Sequence, residues 1–240
     1  MLLKQSQIIQ GFETIASKYD RANDIMTLGL HRLWRKQLIQ NLFYQYKNTP
    51  PSSILDLGTG TGDLAIAIAK MFPNTHIFAA DPAVTMLSLA KQKAARKLPP
   101  HLSKRIQWIH GDLEHLTLPE ASFDAIAMAW VIRNIPKAST ALIRLRALLR
   151  PRGTIHILES GRPCNPLIKP FYPIYSKFFP YLGSLISPDK DFYKYYRQSV
   201  DLFPFHHQFV DLLHTCGYQA PKSIPIFGGV VYLYTAQKNP

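Results

Sequence analysis

Cysteine is scarce: Cys164 and Cys216 are the only two in 240 residues, far apart and outside any CxxC or Cys/His spacing. That excludes a disulfide framework and a cysteine zinc cluster, and both thiols are expected to be reduced and packed. Long apolar runs are missing too. None approaches the ~20 residues a membrane span needs, and the start, MLLKQSQIIQGFE, turns polar after Leu3, unlike a secretory signal. A soluble, intracellular protein is the expectation. Acidic residues are few, Asp+Glu 15 against Lys+Arg 28, for a net charge of +13. Such an excess attracts nucleic acid, anionic lipid headgroups or acidic small molecules without choosing among them. Hydrophobic residues at 47% and charged ones at 18% exclude global disorder. There is no internal repeat or low-complexity linker, and the length suits one domain with a sizeable core.

The pattern along the chain alternates strand and helix. Residues 7–47 read as helices interrupted near Leu28-Gly29. Buried strands are expected at 53–57, 76–80, 105–110, 123–130 and 154–158. Helices are expected at 64–72, 84–96 and 138–149, with Pro151-Arg-Gly153 as a turn. After Ser160 the alternation stops, and 12 of the 25 Phe and Tyr fall within 171–205. A helix near 208–215 and two late strands, 218–226 and 230–236, close the chain. The fold class is therefore α/β, a Rossmann-like methyltransferase fold with a mostly parallel seven-stranded sheet. Its expected parts are an N-terminal helical cap (1–50), a cofactor-binding core (51–160), an aromatic-rich lid insertion (161–205) and a C-terminal helix with closing strands (206–240).

Between the first strand and helix stands Asp56-Leu-Gly58-Thr-Gly60-Thr61-Gly62-Asp63. Glycines there allow a tight turn and close approach of a ligand to the backbone. Dinucleotide enzymes and kinases use similar loops, but Asp56 ends the strand with a carboxylate, which suits an ammonium and repels a pyrophosphate. Asp81 ends the second strand, where a carboxylate takes both ribose hydroxyls. Asp112, followed by Leu113, ends the third and faces the place of an adenine amino group. No Lys-Ser/Thr pair closes the loop, so a P-loop is excluded. Three strand-end carboxylates around a glycine loop describe S-adenosyl-L-methionine. Simpler roles exist: Asp63 as a helix cap and Asp112 as a turn residue.

Other motifs resemble those of the ubiquinone/menaquinone biosynthesis C-methyltransferases (UbiE/MenG type), from about residue 11 to the end. Phe12-Glu-Thr-Ile-Ala-Ser-Lys-Tyr19-Asp20-Arg-Ala-Asn23 matches F-x-x-I-A-x-x-Y-D-x-x-N, and Gly29-Leu-His31-Arg-Leu-Trp34-Arg35 matches G-x-H-x-x-W-R. Ile132-Arg133-Asn134-Ile135 is similar to L-R-N-V, and Leu158-Glu159-Ser160 to the start of L-E-F-S. Tyr196 to Ser199, Phe203-Pro204 and Gly228-Gly229 fall where that family has Y-x-x-S, F-P and G-G. Departures are Trp130-Val131 in place of Phe-Gly, Ala129 in place of a cofactor-side serine, and Phe205-His206-His207 after Phe-Pro.

The resemblance implies methyl transfer to a ring carbon of a demethylated polyprenyl benzoquinol or naphthoquinol. Such a carbon becomes nucleophilic when a neighbouring hydroxyl ionises. Arg133 is then expected to stabilise the phenolate and Tyr19 to orient or deprotonate the hydroxyl. Asn134, Tyr175 and Tyr196 are expected at the acceptor, and Ala129 at the cofactor. Structural roles stand beside these: Arg133 paired with a core carboxylate, Tyr19-Asp20 stapling the N-terminal helices, His31 as a helix-start residue, and Trp34 and Trp130 in the core. No metal is expected, because His206-His207 lacks ligand spacing. The aromatic insertion either walls an apolar pocket or meets lipid. Between Asp124 and Glu159 all charges are basic, which favours a membrane surface, with Arg144 and Arg150 alternatively a solvated helix face. A lipophilic quinol, peripheral contact with the inner face of the membrane and a cytoplasmic location are the expected setting. A homodimer is compatible with it, and no nucleic-acid partner is expected. RNA methylation, or another phenolic acceptor, is the competing reading. A non-catalytic SAM-binding subunit is a third.

Overall fold

The computed structural model describes residues 4–173, 176 and 190–240. Tyr175, expected at the acceptor, and much of the aromatic insertion lie outside the described residues.

Three helices open the chain: α1 (Gln5–Ile15), α2 (Tyr19–Thr27) and α3 (Leu30–Tyr46). The α2–α3 break falls where the sequence places it. Leu28 and Gly29 take left-handed backbone (φ 51° and 75°), and the Gly29 N–H returns to the Asp24 carbonyl at 2.9 Å. A second break, a 3-10 turn over Ala16–Lys18, has no glycine or proline to announce it. Along α3, His31, Trp34, Leu38 and Leu42 recur at helical spacing, and all are buried.

The core sheet comprises β1 (Ser53–Leu57), β2 (His76–Asp81), β3 (Ile106–His110), β4 (Phe123–Ala129), β5 (Leu149–Ser160), β6 (Gln219–Ile226) and β7 (Val231–Gln237). Its order is β3-β2-β1-β4-β5-β7-β6, with β7 antiparallel to both neighbours and the pairings among β1 to β5 parallel. The connecting helices are α4 (Asp63–Met71), α5 (Val84–Lys97), a short α6 (Pro100–Ser103), α7 (Ala138–Leu148), α8 (Lys190–Leu202) and α9 (His207–Thr215). Strand β1 is buried along its whole length, as a parallel strand covered on both faces must be. One apolar layer packs α3 and α4 on the sheet through Trp34, Leu38, Leu64 and Ile68. The other packs α7 and α9 through Leu142, Leu145, Phe209 and Leu213.

Strand β5 is longer than its apolar run suggests. Pro151-Arg-Gly153 lies inside it rather than forming a turn, and the register against β4 shifts between Phe123 and Ala125. A bulge absorbs the irregular residues, and Arg152 takes φ 62° there. Both cysteines are free. Cys216 is buried, whereas Cys164 is exposed on the chain leaving β5. The arginines of the basic stretch are largely used internally. Arg150 bonds Asp124 at 2.9 Å and Ser52 at 2.6 Å, and Arg144 donates to the carbonyls of Glu114 and Leu116. These are packing contacts, not a free cationic face.

Strand order reverses on either side of β1, so the carboxyl ends of β1, β2 and β4 open a crevice, the place where open α/β sheets bind ligands.

Candidate active site

The β1–α4 loop shapes the crevice. The N–H groups of Gly58 and Thr59 both reach the Ala80 carbonyl, at 2.8 and 3.0 Å, pinning the loop to β2. Gly58 (φ 66°) admits no side chain: a Cβ there would lie 2.4 Å from Val131 Cγ2. Gly62 (φ 82°) packs on α5, where a Cβ would meet that of Ala90 at 2.9 Å, so its role is helix packing. Thr61 lines the crevice but is tied into a polar knot. Its hydroxyl donates to Asp20 Oδ1 at 2.6 Å, and Lys93 Nζ reaches Thr61 Oγ1, Asp20 Oδ2 and Asp63 Oδ1 at 2.8, 2.5 and 3.1 Å. That knot joins α2, the glycine loop and α5. Asp63 also pairs with Arg35 at 3.1 Å. Burial works against its charge, but Arg35 and Lys93 hold its carboxyl below the usual range.

Asp81 accepts the Gly60 and Ala83 N–H groups, one on each oxygen, at 2.8 and 2.9 Å. It lines an open cleft of about 820 Å³ with Gly58, Gly60, Asp112, Leu113 and Ala129. Asp112 holds His115 through Oδ1, at 2.7 Å to Nδ1. Helix α1 covers the cleft with Ile8, Ile9 and Phe12, and Glu13 latches it there by accepting the Val84 and Thr85 N–H groups at the start of α5, at 2.5 and 2.9 Å. Beside the cleft is a small polar cavity lined by Asp56, Arg35, Asn23, His31 and Thr59. Asp56 is fully buried, takes the Thr59 hydroxyl at 2.6 Å on Oδ2, and has no partner on Oδ1.

An unpartnered buried carboxylate oxygen, an arginine and a glycine cradle match the ammonium and carboxylate of an amino-acid tail, and Asp81 matches a ribose. The residues therefore fit S-adenosyl-L-methionine. Arg35 was not singled out from the sequence as a cofactor residue; its place in the G-x-H-x-x-W-R match was the available signal.

Burial drives the carboxyls of Asp56 and Asp81 up, to about 7 and about 6. Both folded values lie above the ordinary one, so their contribution to stability without ligand is greatest in acid and lost as pH rises through about 6 and 7. The cofactor needs the ionised forms, so its affinity should run the other way. We expect calorimetry to find cofactor binding about tenfold or more weaker at pH 5 than at pH 8. Asp81→Ala should lose about 10- to 100-fold in affinity at pH 8, the worth of a hydrogen-bonded charge. Equal affinity in Asp81→Ala and the parent would contradict the ribose assignment.

A second cavity of about 1050 Å³ adjoins the first, lined by Phe12, Asn23, His31, Trp34, Arg133 and Tyr196 among others. Tyr19 and Trp130 line both and so stand at the junction. Trp130 sits just past β4 with φ 61°, a sparsely populated backbone state held by its N–H to the Leu158 carbonyl at 2.7 Å. Arg133 follows on a 3-10 turn (Ile132–Asn134) and is paired: Nη1 lies 2.6 Å from Glu159 Oε1, with both side chains almost fully buried. Its Cζ stands 4.5 Å over the Tyr196 ring, and its buried Nε has no partner. Burial opposes the charge, and Glu159 restores it, so the guanidinium stays protonated. Tyr196 lines this cavity with its hydroxyl 3.2 Å from Ser160 Oγ. Asn134 does not; it faces the cofactor cleft, where it takes the Tyr195 hydroxyl at 3.1 Å. The structure thus brings Tyr19, Arg133 and Tyr196 to one cavity and separates Asn134 from it. His31, read from sequence as a helix-start residue, and Trp34 and Trp130, each with a core role open to it, all line the cavity.

The model of the ubiE/COQ5 methyltransferase family matches residues 1–238. Among curated relatives, a protein of Hahella chejuensis named ubiquinone/menaquinone biosynthesis C-methyltransferase is 30% identical, over 98% of this chain and 92% of its own. One of the same name from Rickettsia rickettsii is 34% identical over 97% and 93%. Among solved structures, a SAM-dependent methyltransferase from Aquifex aeolicus superposes with a TM-score of 0.60 at 14% identity, over 98% of both chains. Phosphoethanolamine N-methyltransferase 2 of Haemonchus contortus, in complex with S-adenosyl-L-methionine, gives 0.59 at 15% identity, over 84% of this chain and 52% of that one. With a family match over nearly its whole length, a Rossmann-like sheet and a crevice built for the cofactor, this chain belongs to the ubiE/COQ5 methyltransferase family of S-adenosyl-L-methionine-dependent enzymes.

Proposed function

We propose that this enzyme methylates a ring carbon of a demethylated prenyl quinol, a benzoquinol or naphthoquinol precursor of a respiratory quinone. The observation that carries this is the pair of cavities meeting at Tyr19 and Trp130, with Arg133 on the acceptor side. The relatives' names point to the same chemistry.

When bound, S-adenosyl-L-methionine supplies an activated methyl group. The chain contributes alignment, exclusion of water and stabilisation of a phenolate. Arg133 is held in place by Glu159 and stays cationic, so its remaining donors serve a phenolate oxygen. Burial pushes the Tyr19 phenol up, so it stays protonated at neutral pH, and its role is to orient the acceptor by hydrogen bonding. Aromatic walls from Phe12, Trp34 and Trp130 suit a flat ring.

An apolar groove of about 680 Å³ runs on from the acceptor cavity, sharing Met26, Trp34, Tyr172 and Val230 with it and adding Leu28, Phe171 and Phe227. The last three are exposed, Leu28 at 86%. A prenyl tail fits a groove of this character, and an exposed apolar rim on a protein of charge +13 suits an anionic bilayer. Among the described residues no helix is long and apolar enough to cross a membrane. We therefore place the enzyme in the cytoplasm, peripherally on the inner face of the membrane, reaching its substrate from the lipid surface.

The test is transfer of labelled methyl to reduced demethylquinones in anionic vesicles, with RNA in parallel. Label in the quinol supports the proposal. Label in RNA alone, or none in either, contradicts it.

A further inference from the structure

Ionising an acceptor hydroxyl requires a group to take its proton, and among the described residues the acceptor cavity offers few. Arg133 is a paired cation and Tyr19 a buried phenol, and burial raises Tyr172 to about 12. Tyr196 lies under the guanidinium with its hydroxyl near Ser160 Oγ. Asp201 stands at the rim, half exposed and faced by Arg162 and Arg197 at 3.8 and 4.0 Å. His31 remains. It is buried (6% exposed), lines both the acceptor cavity and the polar cavity, and stands edge-on to Trp130 at the junction.

Hydrogen bonding fixes which nitrogen is free. The Thr27 hydroxyl donates its one proton to the Asn23 carbonyl, which can only accept, at 2.6 Å. Its oxygen is therefore the acceptor at 2.8 Å from His31 Nδ1, and Nδ1 carries the hydrogen. Nε2 is left with its lone pair and makes no hydrogen bond among the described residues. Its nearest carboxylate oxygen, Asp24 Oδ1 at 3.8 Å, is occupied by Arg32, which holds Asp24 through bonds of 2.9 and 2.5 Å. A lone pair on a neutral, oriented imidazole is the arrangement of a general base.

Resting on the quinol reading above, we propose that His31 is the base that ionises the acceptor, with Thr27 as the residue that sets its tautomer. In this step the acceptor O–H bond breaks and its electron pair stays on oxygen. The proton moves to Nε2, giving an imidazolium beside a phenolate that Arg133 also faces. The phenolate charge spreads to the ortho carbon, the position that accepts the methyl group.

Burial, followed by Arg35, pushes the His31 imidazole down to about 4, against the pull of Asp24; Arg32 lowers it further and Asp63 raises it. The free enzyme thus holds the basic form throughout the neutral range, and a phenolate formed in contact raises its proton affinity as the proton moves.

The experiment uses the full-length enzyme, S-adenosyl-L-methionine and 2-geranyl-1,4-naphthoquinol kept reduced. His31→Asn retains a donor for Thr27 and removes the base. We expect kcat to fall about 100-fold or more, a far larger change than any in cofactor affinity, with the residual rate rising about tenfold per pH unit as hydroxide replaces the imidazole. With the cofactor saturating at every pH, so that protonation of Asp56 and Asp81 does not limit the rate, kcat of the parent should show no acid limb near pH 6.5. Nitrogen NMR of histidine-labelled parent enzyme, which needs no variant to fold, should show His31 neutral at pH 6 with the hydrogen on Nδ1. A hydrogen on Nε2, an imidazolium at pH 6, or a variant with near-parental kcat and pH profile would overturn the assignment. No methyl transfer to the quinol by the parent would instead overturn the quinol reading.

Discussion

Glu159→Ala is expected to cost about 3–5 kcal/mol of folding stability, because it strands a buried cation. Glu159 is fully buried, and its partner Arg133 has a side chain only 3% exposed. The carboxylate accepts Arg133 Nη1 at 2.6 Å, the Ser160 N–H at 2.8 Å and the Arg133 N–H at 3.4 Å, so alanine would orphan three donors near an Nε that already lacks a partner. For a chain of this size the loss corresponds to about 6–20 °C in melting temperature. Glu159→Gln keeps the acceptor oxygen and should lose less. Arg133→Met in the Glu159→Ala background should recover part of the loss, since an apolar pair avoids desolvating charge. Urea unfolding of the four proteins checks this. A Glu159→Ala cost below about 1 kcal/mol, the worth of an exposed pair, would show that the charge is not buried.

Gly58→Ala should nearly abolish cofactor binding. Alanine at φ 66° costs roughly 1–2 kcal/mol, and its Cβ would sit 2.4 and 2.8 Å from the two methyl groups of Val131. Turning the stiff Val131 side chain still leaves its Cβ 3.2 Å away, tighter than an ordinary contact, so the loop is expected to shift into the cleft, with overpacking adding about 1–3 kcal/mol. If the displaced loop must be restored for binding, affinity falls by roughly 30-fold to several thousandfold. Val131→Ala in the same chain removes the overlap and should return the steric share, leaving the backbone share. Calorimetric titration with S-adenosyl-L-methionine measures both, and a parental affinity in Gly58→Ala would mean that the loop has slack.

The glycine loop and the strand-end carboxylates Asp56, Asp81 and Asp112 were legible in the sequence because parallel strands in register bring their carboxyl ends to one edge, whatever the loops between them do. The helix break at Leu28-Gly29 was legible because glycine marks it. The break over Ala16–Lys18 was not, since nothing in Ala-Ser-Lys opposes a helix and packing decides it. The stretch Pro151-Arg-Gly153 reads as a turn, yet pairing across the sheet and a bulge keep it within β5. Long-range polar pairings were least visible. Glu159 finds Arg133 from 26 residues away, and Lys93 finds Asp20 from 73. No local spacing encodes either pairing. Asn134, adjacent to Arg133 in sequence, faces the other cavity because successive residues of a 3-10 turn point about a third of a turn apart. His31 reads from sequence as a helix-start residue, and it is the burial around it and its Thr27 bond that motivate the role proposed for it at the acceptor.

Methylation at carbon joins the new methyl group to the quinol ring, whereas methylation at oxygen would leave an ether. The measurement is carbon NMR of the product formed from S-adenosyl-L-methionine labelled with carbon-13 in its methyl group and a reduced demethylnaphthoquinone. A methyl resonance coupled to a ring carbon, with both hydroxyls unmodified, is the result predicted. A methoxy resonance, showing transfer to oxygen, would contradict it.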